Sequence, residues 1–331
     1  MFGKMMNRFY YGKSGQGDFS KEDLPQTRWQ LFWDMLKVRF AALFRLNLLY
    51  MIAWLPAIII IGRGLMLAYS GMVSIVDVNT QLAAGELAAE AAQEQLAGLS
   101  GFFSSLAMQT LLLLVPAITL TGPATAGVAY VTRNWARDEH AFLWSDFRDA
   151  LKANWKQALL TSFITGMVPL LLYVCVQFYG QMAETSWLYM LPQGICIVVG
   201  VLWMCSLMYM YPQMVTYQLN FRGLVRNSLI MTIGRLPQTV GLKLLSLLPA
   251  LICAIVSFLT PYFQYAIVIY GAYYVLIGFA LSRFVGASYS NAVFDRYINP
   301  NVEGAQVNRG LYVEEDDEDE EAADEDETPQ E

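Results

Sequence analysis

Six long apolar stretches constrain the fold of this chain more than any other feature. A helix that crosses about 30 Å of hydrocarbon needs roughly 20 mostly apolar residues. Since backbone groups cannot go unpaired in lipid and these stretches lack period-two alternation, the sequence predicts helices rather than a β-barrel. We therefore expect an all-α, polytopic integral membrane protein with about six transmembrane helices. The predicted spans are 46–67, 102–131, 158–180, 187–215, 239–259 and 262–285.

The distribution of lysine and arginine predicts the orientation of these spans. The connections 1–45, 132–157, 216–243 and 283–331 hold eight, five, four and three basic residues, and the other three connections hold none. Cytoplasmic connections of membrane proteins are enriched in basic residues. The alternation predicts an even number of spans, with the N-terminus and the C-terminus both in the cytoplasm.

The net charge of −7 hides two oppositely charged parts of the chain. Residues 314–331 hold thirteen acidic residues and no basic one, so the rest of the chain has a charge of +6. Such an acidic segment cannot bury enough apolar surface to fold, and it repels itself. We expect a disordered, cytoplasmic acidic tail.

An amphipathic stretch precedes each outgoing span and suits a helix that lies in the membrane interface. The three stretches hold Trp29, Trp33, Leu36 and Phe40, then Leu143, Phe147, Leu151 and Trp155, then Val225, Leu229, Ile233 and Leu236. A proline follows at a similar distance each time, at Pro56, Pro169 and Pro249. This spacing favours three repeated helical hairpins, although aromatic interfacial segments and prolines near helix ends are common enough to leave the repeat open.

The sequence therefore divides into three segments. Residues 1–45 are predicted to be a cytoplasmic N-terminal segment with an interfacial helix, and 46–288 a six-helix membrane domain. This domain includes an extracytoplasmic helical insertion near 70–101, in which 79–98 has the alanine content and spaced glutamates of an exposed helix. Residues 289–331 form the cytoplasmic C-terminal segment that ends in the acidic tail.

The segment TLTGPATAG places a glycine and a proline inside the second apolar stretch. A proline there is expected to kink or break the helix, and a break would expose amide groups that could hold an anionic solute. The more common meaning of such a motif is a proline kink with close glycine packing. The candidate ligand or helix-break site consists of Thr119, Thr121, Gly122, Pro123 and Thr125.

A second group of residues is predicted to face the interface or a partner. These residues lie in the basic, aromatic connection after the second span and in the amphipathic stretch that follows it. They are Trp144, Phe147, Arg148, Trp155 and Lys156.

Little in the sequence points to catalysis. No span contains a carboxylate pair, a histidine cluster or a serine with a suitable base, so we expect no enzyme activity, no cofactor and no metal site. Arg63 is the charge that stands out within an apolar run, and snorkelling to the headgroups accounts for it. His140 follows two acidic residues in a basic connection, where a solvated helix start is expected. The four cysteines fall in apolar runs and give no information on compartment.

At NLLYMIAWLP (47–56) and at PAITLTGPATAG through NWKQAL (116–159) the chain resembles the YesL-like family of uncharacterised bacterial membrane proteins. The step Asn154, Trp155, Lys156, Gln157 completes the second block. The chain departs from the family by about sixty additional residues between Pro56 and Pro116 and by its acidic tail. The resemblance implies the cell membrane of a bacterium and a context of carbohydrate use, without a mechanism.

Two functions follow from these patterns. The first is an accessory or regulatory partner of a carbohydrate uptake system, whose partner is a sugar importer or another membrane complex. The second is a small-solute transporter or channel with its site near Gly122 and Pro123. The lipid bilayer is a partner in both, no nucleic acid is expected, and the oligomeric state is left open.

Overall fold

The computed structural model describes residues 24–312, apart from the side chains of Phe258 and Phe263, and is all-α over these residues. The predicted acidic tail lies outside the described residues. Residues 24–312 contain eight α-helices, one π turn, one short 3₁₀ turn before the fourth helix and another after the last helix. The α-helices are α1 (Arg28–Ala83), α2 (Ala89–Trp135), α3 (Ser145–Ala183), α4 (Met190–Thr216), α5 (Phe221–Gly234), α6 (Leu236–Leu259), α7 (Phe263–Tyr273) and α8 (Phe279–Tyr297). The π turn is Tyr274–Gly278 and makes α7 and α8 one continuous rod.

The six predicted spans are confirmed as helices. Within the described part of the chain, six helical segments are long and apolar enough to cross a membrane, and each overlaps one predicted apolar stretch. The helices are longer than the predicted spans. At 1.5 Å per residue, the 56 residues of α1 extend about 84 Å, well beyond the hydrocarbon thickness.

Two of the three predicted interfacial helices are not separate elements. The stretch with Trp29 and Trp33 is the first part of α1, which a capping box between Thr27 and Gln30 begins. The second stretch continues from Ser145 directly into the third span. Because nothing in either sequence stops a helix before the apolar run, one helix continues from the interface into the span. Most of the third stretch lies in a separate helix, α5, which Asn220 caps, and its last residue, Leu236, begins α6.

The predicted insertion is the far end of a helical hairpin. The sequence predicts one exposed helix over 79–98, and this is wrong, because α1 ends at Ala83 and α2 begins at Ala89. The chain reverses in between, and Gly85 takes a positive φ of 73° there. Along the hairpin, Gly71 lies against the ring of Phe103 so closely that a Cβ would come within 2.8 Å of it.

Most of the buried residues lie in one half of the molecule, which we call the packed end. It consists of the N-terminal parts of α1 and α3, the C-terminal parts of α2, α4 and α8, and α5. By the distribution of basic residues this is the end predicted to face the cytoplasm. At the other end apolar side chains are exposed, as at Leu65 and Met66 of α1 and Leu259 of α6. These exposed apolar faces suit contact with lipid.

The most extensive helix–helix contact joins α2 with α3, which belong to different hairpins of the predicted repeat. The contact of α1 with α2 comes next, and α8 packs against both of these helices. The bundle therefore closes between its first and last membrane helices. The threefold repeat stays a prediction.

Candidate functional site

The helix does not break at Gly122 and Pro123. α2 continues through both Pro116 and Pro123, so the expected gap with free amide groups is absent. Pro123 leaves the carbonyl of Thr119 without its usual amide donor. The nearby threonines do not replace that donor. Thr119, Thr121 and Thr125 donate instead to the carbonyls of Val115, Ile118 and Thr121, at 2.7, 2.7 and 2.8 Å.

Gly122 is a packing contact between two helices. A Cβ at this position would lie 2.3 Å from the carbonyl oxygen of Ala158 and 2.7 Å from Ser162 Oγ, both on α3. One turn further, a Cβ on Gly127 would meet the ring of Phe147 at 2.6 Å. These glycines let α2 and α3 approach closely, as small residues do between membrane helices. This close helix packing explains why residue 122 is a glycine, and a bound ligand is not needed to explain it.

Thr125 belongs to a buried polar cluster. Its hydroxyl is 2.7 Å from that of Tyr50 on α1, and Arg283 on α8 donates to the Tyr50 hydroxyl over a longer distance of 3.4 Å. The guanidinium of Arg283 also lies over the ring of Tyr211 on α4, 5.5 Å from its centroid. The Tyr211 hydroxyl in turn is 2.7 Å from that of Ser162 on α3. Five helices thus contribute polar side chains to one cluster.

Two basic residues lie inside membrane helices. Lys243 and Arg283 were counted with the cytoplasmic connections in predicting the orientation, although the predicted spans 239–259 and 262–285 also include them, and the structure places them within α6 and α8. Both are partly buried. The signal that could have found them is their position in the sequence, because Lys243 lies four residues inside the apolar run 239–259 and Arg283 lies near the end of the run 262–285.

Asn47 has a role that the sequence analysis also missed. It is fully buried on α1, and its amide donates to the carbonyls of Tyr274 and Val275 at 2.9 and 2.8 Å. Its oxygen accepts from the backbone N–H of Ala280 at 2.9 Å. Two of these backbone groups belong to the π turn and the third follows it by two residues, where the regular helix ladder is interrupted. Asn47 therefore fixes the last membrane helix to the first.

At the packed end, ion pairs join distant parts of the chain. Arg28, at the start of α1, pairs with the buried carboxylate of Asp295 near the end of α8. Glu139 pairs with three arginines, Arg133, Arg137 and Arg309, at 3.6, 3.1 and 3.4 Å. Because Glu139 pairs with Arg309 as well as with the two arginines near the end of α2, it holds the α2–α3 connection against the C-terminal segment.

The hydroxyl of Tyr217 lies beside this network and donates to Asn299 Oδ1 at 2.6 Å. Burial raises the pKa of Tyr217 to about 12, against the opposing effect of Arg133. The phenol therefore keeps its proton near neutral pH and remains a donor.

A hollow of about 720 Å³ opens at the packed end between α3 and the end of α4. The segments 153–157 and 214–219 line it. The side-chain amide of Gln157 donates to the carbonyl of Leu219 at 2.8 Å and holds the two sides together. The hollow thus contains the whole step from Asn154 to Gln157 that the sequence analysis singled out.

The predicted partner-facing residues do not share one surface. Trp155 and Lys156 line the hollow, and the ammonium of Lys156 lies 5.6 Å from the Trp155 ring. Trp144 and Arg148 are exposed near the start of α3. The prediction for Phe147 is wrong, because its ring is 5% exposed and packs against Gly127. Amphipathic periodicity placed Phe147 on the apolar face, and α2, rather than lipid or a partner, covers that face.

Metal ligands are not grouped in the part of the chain that is described. No three histidine, cysteine, aspartate or glutamate residues between 24 and 312 are placed to hold a metal ion together.

Comparison with known families gives one match. Residues 99–175 match the family described as "Protein of unknown function, DUF624". The match covers most of α2, the connection that carries Glu139 and most of α3, which are the two helices in the most extensive contact. It includes the 116–159 block and is consistent with the resemblance seen in the sequence. No curated protein and no solved structure matches the chain. Over about a quarter of its length, this helical chain with six potential membrane spans is thus similar to an uncharacterised family.

Proposed function

We propose that the protein is an accessory or regulatory membrane protein that binds another membrane complex through the hollow at the packed end. The observation that carries this proposal is the position of the exposed Trp155 and Lys156 on the wall of that hollow. The packed end faces the cytoplasm in this proposal, and the chain spans the cell membrane of a bacterium with both termini inside. The expected partner is a sugar importer or another complex of carbohydrate uptake, a context supported by the family resemblance alone.

The chemistry of the hollow suits a protein partner. Tryptophan offers a large apolar surface at low entropic cost, and it is enriched among the residues that dominate binding energy at interfaces. The ammonium of Lys156 next to its ring adds a positive charge for an acidic group of the partner. The polar residues of 214–219 supply a hydrogen-bonding rim. The proposal includes no catalytic step and no cofactor.

Recovery of partners from the native membrane tests the proposal. The tagged protein is purified in mild detergent, and the proteins that accompany it are identified by mass spectrometry. The double variant Trp155→Ala, Lys156→Ala should recover at least tenfold less of the partner than the wild type. The control is Trp187→Ala, which removes an exposed tryptophan at the opposite end of the bundle and should leave recovery unchanged.

Equal recovery of the same proteins by the wild type and the double variant would contradict the role of the hollow. Recovery of no other protein by the wild type would contradict the accessory function itself.

A small-solute transporter is the second candidate, and one observation favours it. Thr125, from the predicted site, is joined through Tyr50 to the charged Arg283 inside the bundle. Transporters place such intramembrane charges along their substrate pathways. Solute flux into liposomes that contain the purified protein alone would support this candidate, and its absence over a panel of sugars and sugar phosphates would count against it.

A further inference from the structure

Cys175 on α3 and Cys196 on α4 are cysteines that lie outside both the hollow and the polar cluster. Each is a partly buried thiol, whereas the residues directly before and after it are exposed. Neighbouring residues of a helix point in different directions, so each cysteine lies on a different face from its exposed neighbours. Both side chains are therefore on faces that pack within the bundle.

The contacts between α3 and α4 show that these helices are antiparallel, and they fix the register. Ser162 Oγ on α3 is 2.7 Å from the Tyr211 hydroxyl on α4. Further along α3, the side chain of Leu172 lies so close to Gly200 that a Cβ on Gly200 would be 2.6 Å from it. An advance of ten residues along α3 thus corresponds to a return of eleven residues along α4.

Cys175 and Cys196 continue this register by one helical turn. Cys175 follows Leu172 by three residues and therefore lies on the same face of α3. Cys196 precedes Gly200 by four residues and likewise lies on the contacting face of α4. At the helical rise per residue, these steps are about 4.5 Å along α3 and about 6 Å along α4. The cysteines are thus on facing sides of the two helices, within about 2 Å of the same height along the helix axes.

The connection between the helices holds them together beyond this pair. α3 ends at Ala183, α4 begins at Met190, and the 3₁₀ turn between them contacts both helices. The two helices are therefore in contact on both sides of the cysteines.

The separation of the helices next to the cysteines suits a disulfide. The buried Gly200, one turn from Cys196, lets α4 approach α3 closely, as small residues do between membrane helices. A disulfide requires Cα atoms about 4.4–6.8 Å apart, which is a short distance between two helices. The Cys175 thiol also lies within hydrogen-bonding reach of Cys196.

We propose that Cys175 and Cys196 form a disulfide that joins α3 to α4. When the sulfur–sulfur bond forms, the two thiols lose two protons and two electrons. The oxidant is the disulfide of another molecule, a thiol–disulfide exchange protein or a small disulfide, which takes up both electrons and both protons and becomes two thiols. The bond fastens the end of the α3–α4 pair that lies away from the packed end.

The location of the pair favours a stable disulfide, and this step rests on the orientation given under the proposed function. In that orientation the packed end faces the cytoplasm, so the cysteines lie in the outer half of the bundle. Disulfides persist on the extracytoplasmic side of a membrane, whereas the cytoplasm keeps thiols reduced. The facing positions of the two cysteines follow from the helix contacts and do not depend on the orientation.

The test is a count of oxidised thiols in the full-length protein in its native membrane. Free thiols are blocked with N-ethylmaleimide during denaturation, disulfides are reduced, and the released thiols are labelled with maleimide–polyethylene glycol. Most wild-type chains should carry two labels. Cys175→Ser and Cys196→Ser should each carry none, whereas Cys253→Ser should still carry two. The wild-type count needs no variant, so it decides the question even if a variant does not fold.

A second measurement tests the pairing in the purified full-length protein, with oxidised glutathione as the oxidant. One variant keeps Cys175 and Cys196 and has serine at the other two positions. The control variant keeps Cys175 and Cys205, because Cys205 lies nine residues further along α4, about 13 Å from Cys196. The disulfide should form at least about tenfold faster in the first variant, since cysteines so far apart cannot be bridged.

Two results would overturn the proposal. One is wild-type protein in which both thiols are free in the native membrane, and the other is disulfide formation at equal rates in the two variants. Neither result depends on recovery of a partner, so failure of this proposal is distinguishable from failure of the proposed function.

Discussion

Substitution of Asn47 by leucine should weaken the attachment of the last membrane helix to the first. The side chains are similar in size, so the change removes hydrogen bonds with little change in volume. Three bonds are lost, from the amide to the carbonyls of Tyr274 and Val275 and from the N–H of Ala280 to the amide oxygen. Asn47 is fully buried, so water does not replace them.

The expected cost follows from these three bonds. A hydrogen bond contributes about 1 kcal/mol net in folded proteins, and about 0.6 kcal/mol on average between membrane helices. Three such bonds give about 2–3 kcal/mol of lost stability. The π turn from Tyr274 to Gly278 should respond first, because Asn47 bonds two of its carbonyls at a point where the regular helical ladder is interrupted.

The assay is unfolding of the purified protein by SDS titration in mixed micelles, with retained helicity as the signal. Asn154→Leu is the matched control, because the amide of Asn154 makes a single bond, to the Ala150 carbonyl of its own helix, at 3.0 Å. The control should lose less than about 1 kcal/mol. Equal unfolding midpoints for Asn47→Leu and the control would refute the assignment of Asn47 as the residue that holds the π turn.

Two further predictions use the same unfolding assay. Gly122→Leu should lower the free energy of unfolding by at least about 2 kcal/mol, because the leucine side chain would collide with the α3 backbone. Gly101→Leu, with open space around the residue, should change it by less than about 0.5 kcal/mol. Similar losses for both variants would contradict the close α2–α3 packing. Arg28→Gln should cost about 1–2 kcal/mol, because it leaves the buried carboxylate of Asp295 unpaired while Arg28 itself is partly solvated. Removal of the exposed Lys37, which pairs with a carboxylate on its own helix, should cost less than about 0.5 kcal/mol. An equally small loss for Arg28→Gln would show that its ion pair does not hold the start of α1 to the end of α8.

The membrane helices could be predicted from the sequence because hydropathy is a local property. Each apolar stretch became part of a helix. Helix ends were harder to predict, because nothing local distinguishes an interfacial helix from the start of a longer one. The stretch at Trp29 and Trp33 thus continues into α1, while Asn220 and Gly234 delimit α5 as a separate helix.

The interior of the bundle depends on which helices meet, and one sequence does not show this. Gly122 and Pro123 carry the pattern of a broken helix, yet α2 continues through both residues and Gly122 packs against α3. Asn47 is one polar residue in an apolar run until α8 is placed beside it. Arg283 likewise counted as a basic residue of a connection until its contacts with Tyr50 and Tyr211 were known.

Cross-linking from the hollow in the native membrane tests the central claim most directly. A photoreactive amino acid replaces Trp155, which is exposed on the hollow, and in a control it replaces Tyr69, which is exposed at the far end of α1. The proposed function predicts one dominant protein cross-linked from position 155 and absent from position 69. Cross-links to lipid alone at position 155, or the same proteins from both positions, would contradict a partner-binding hollow.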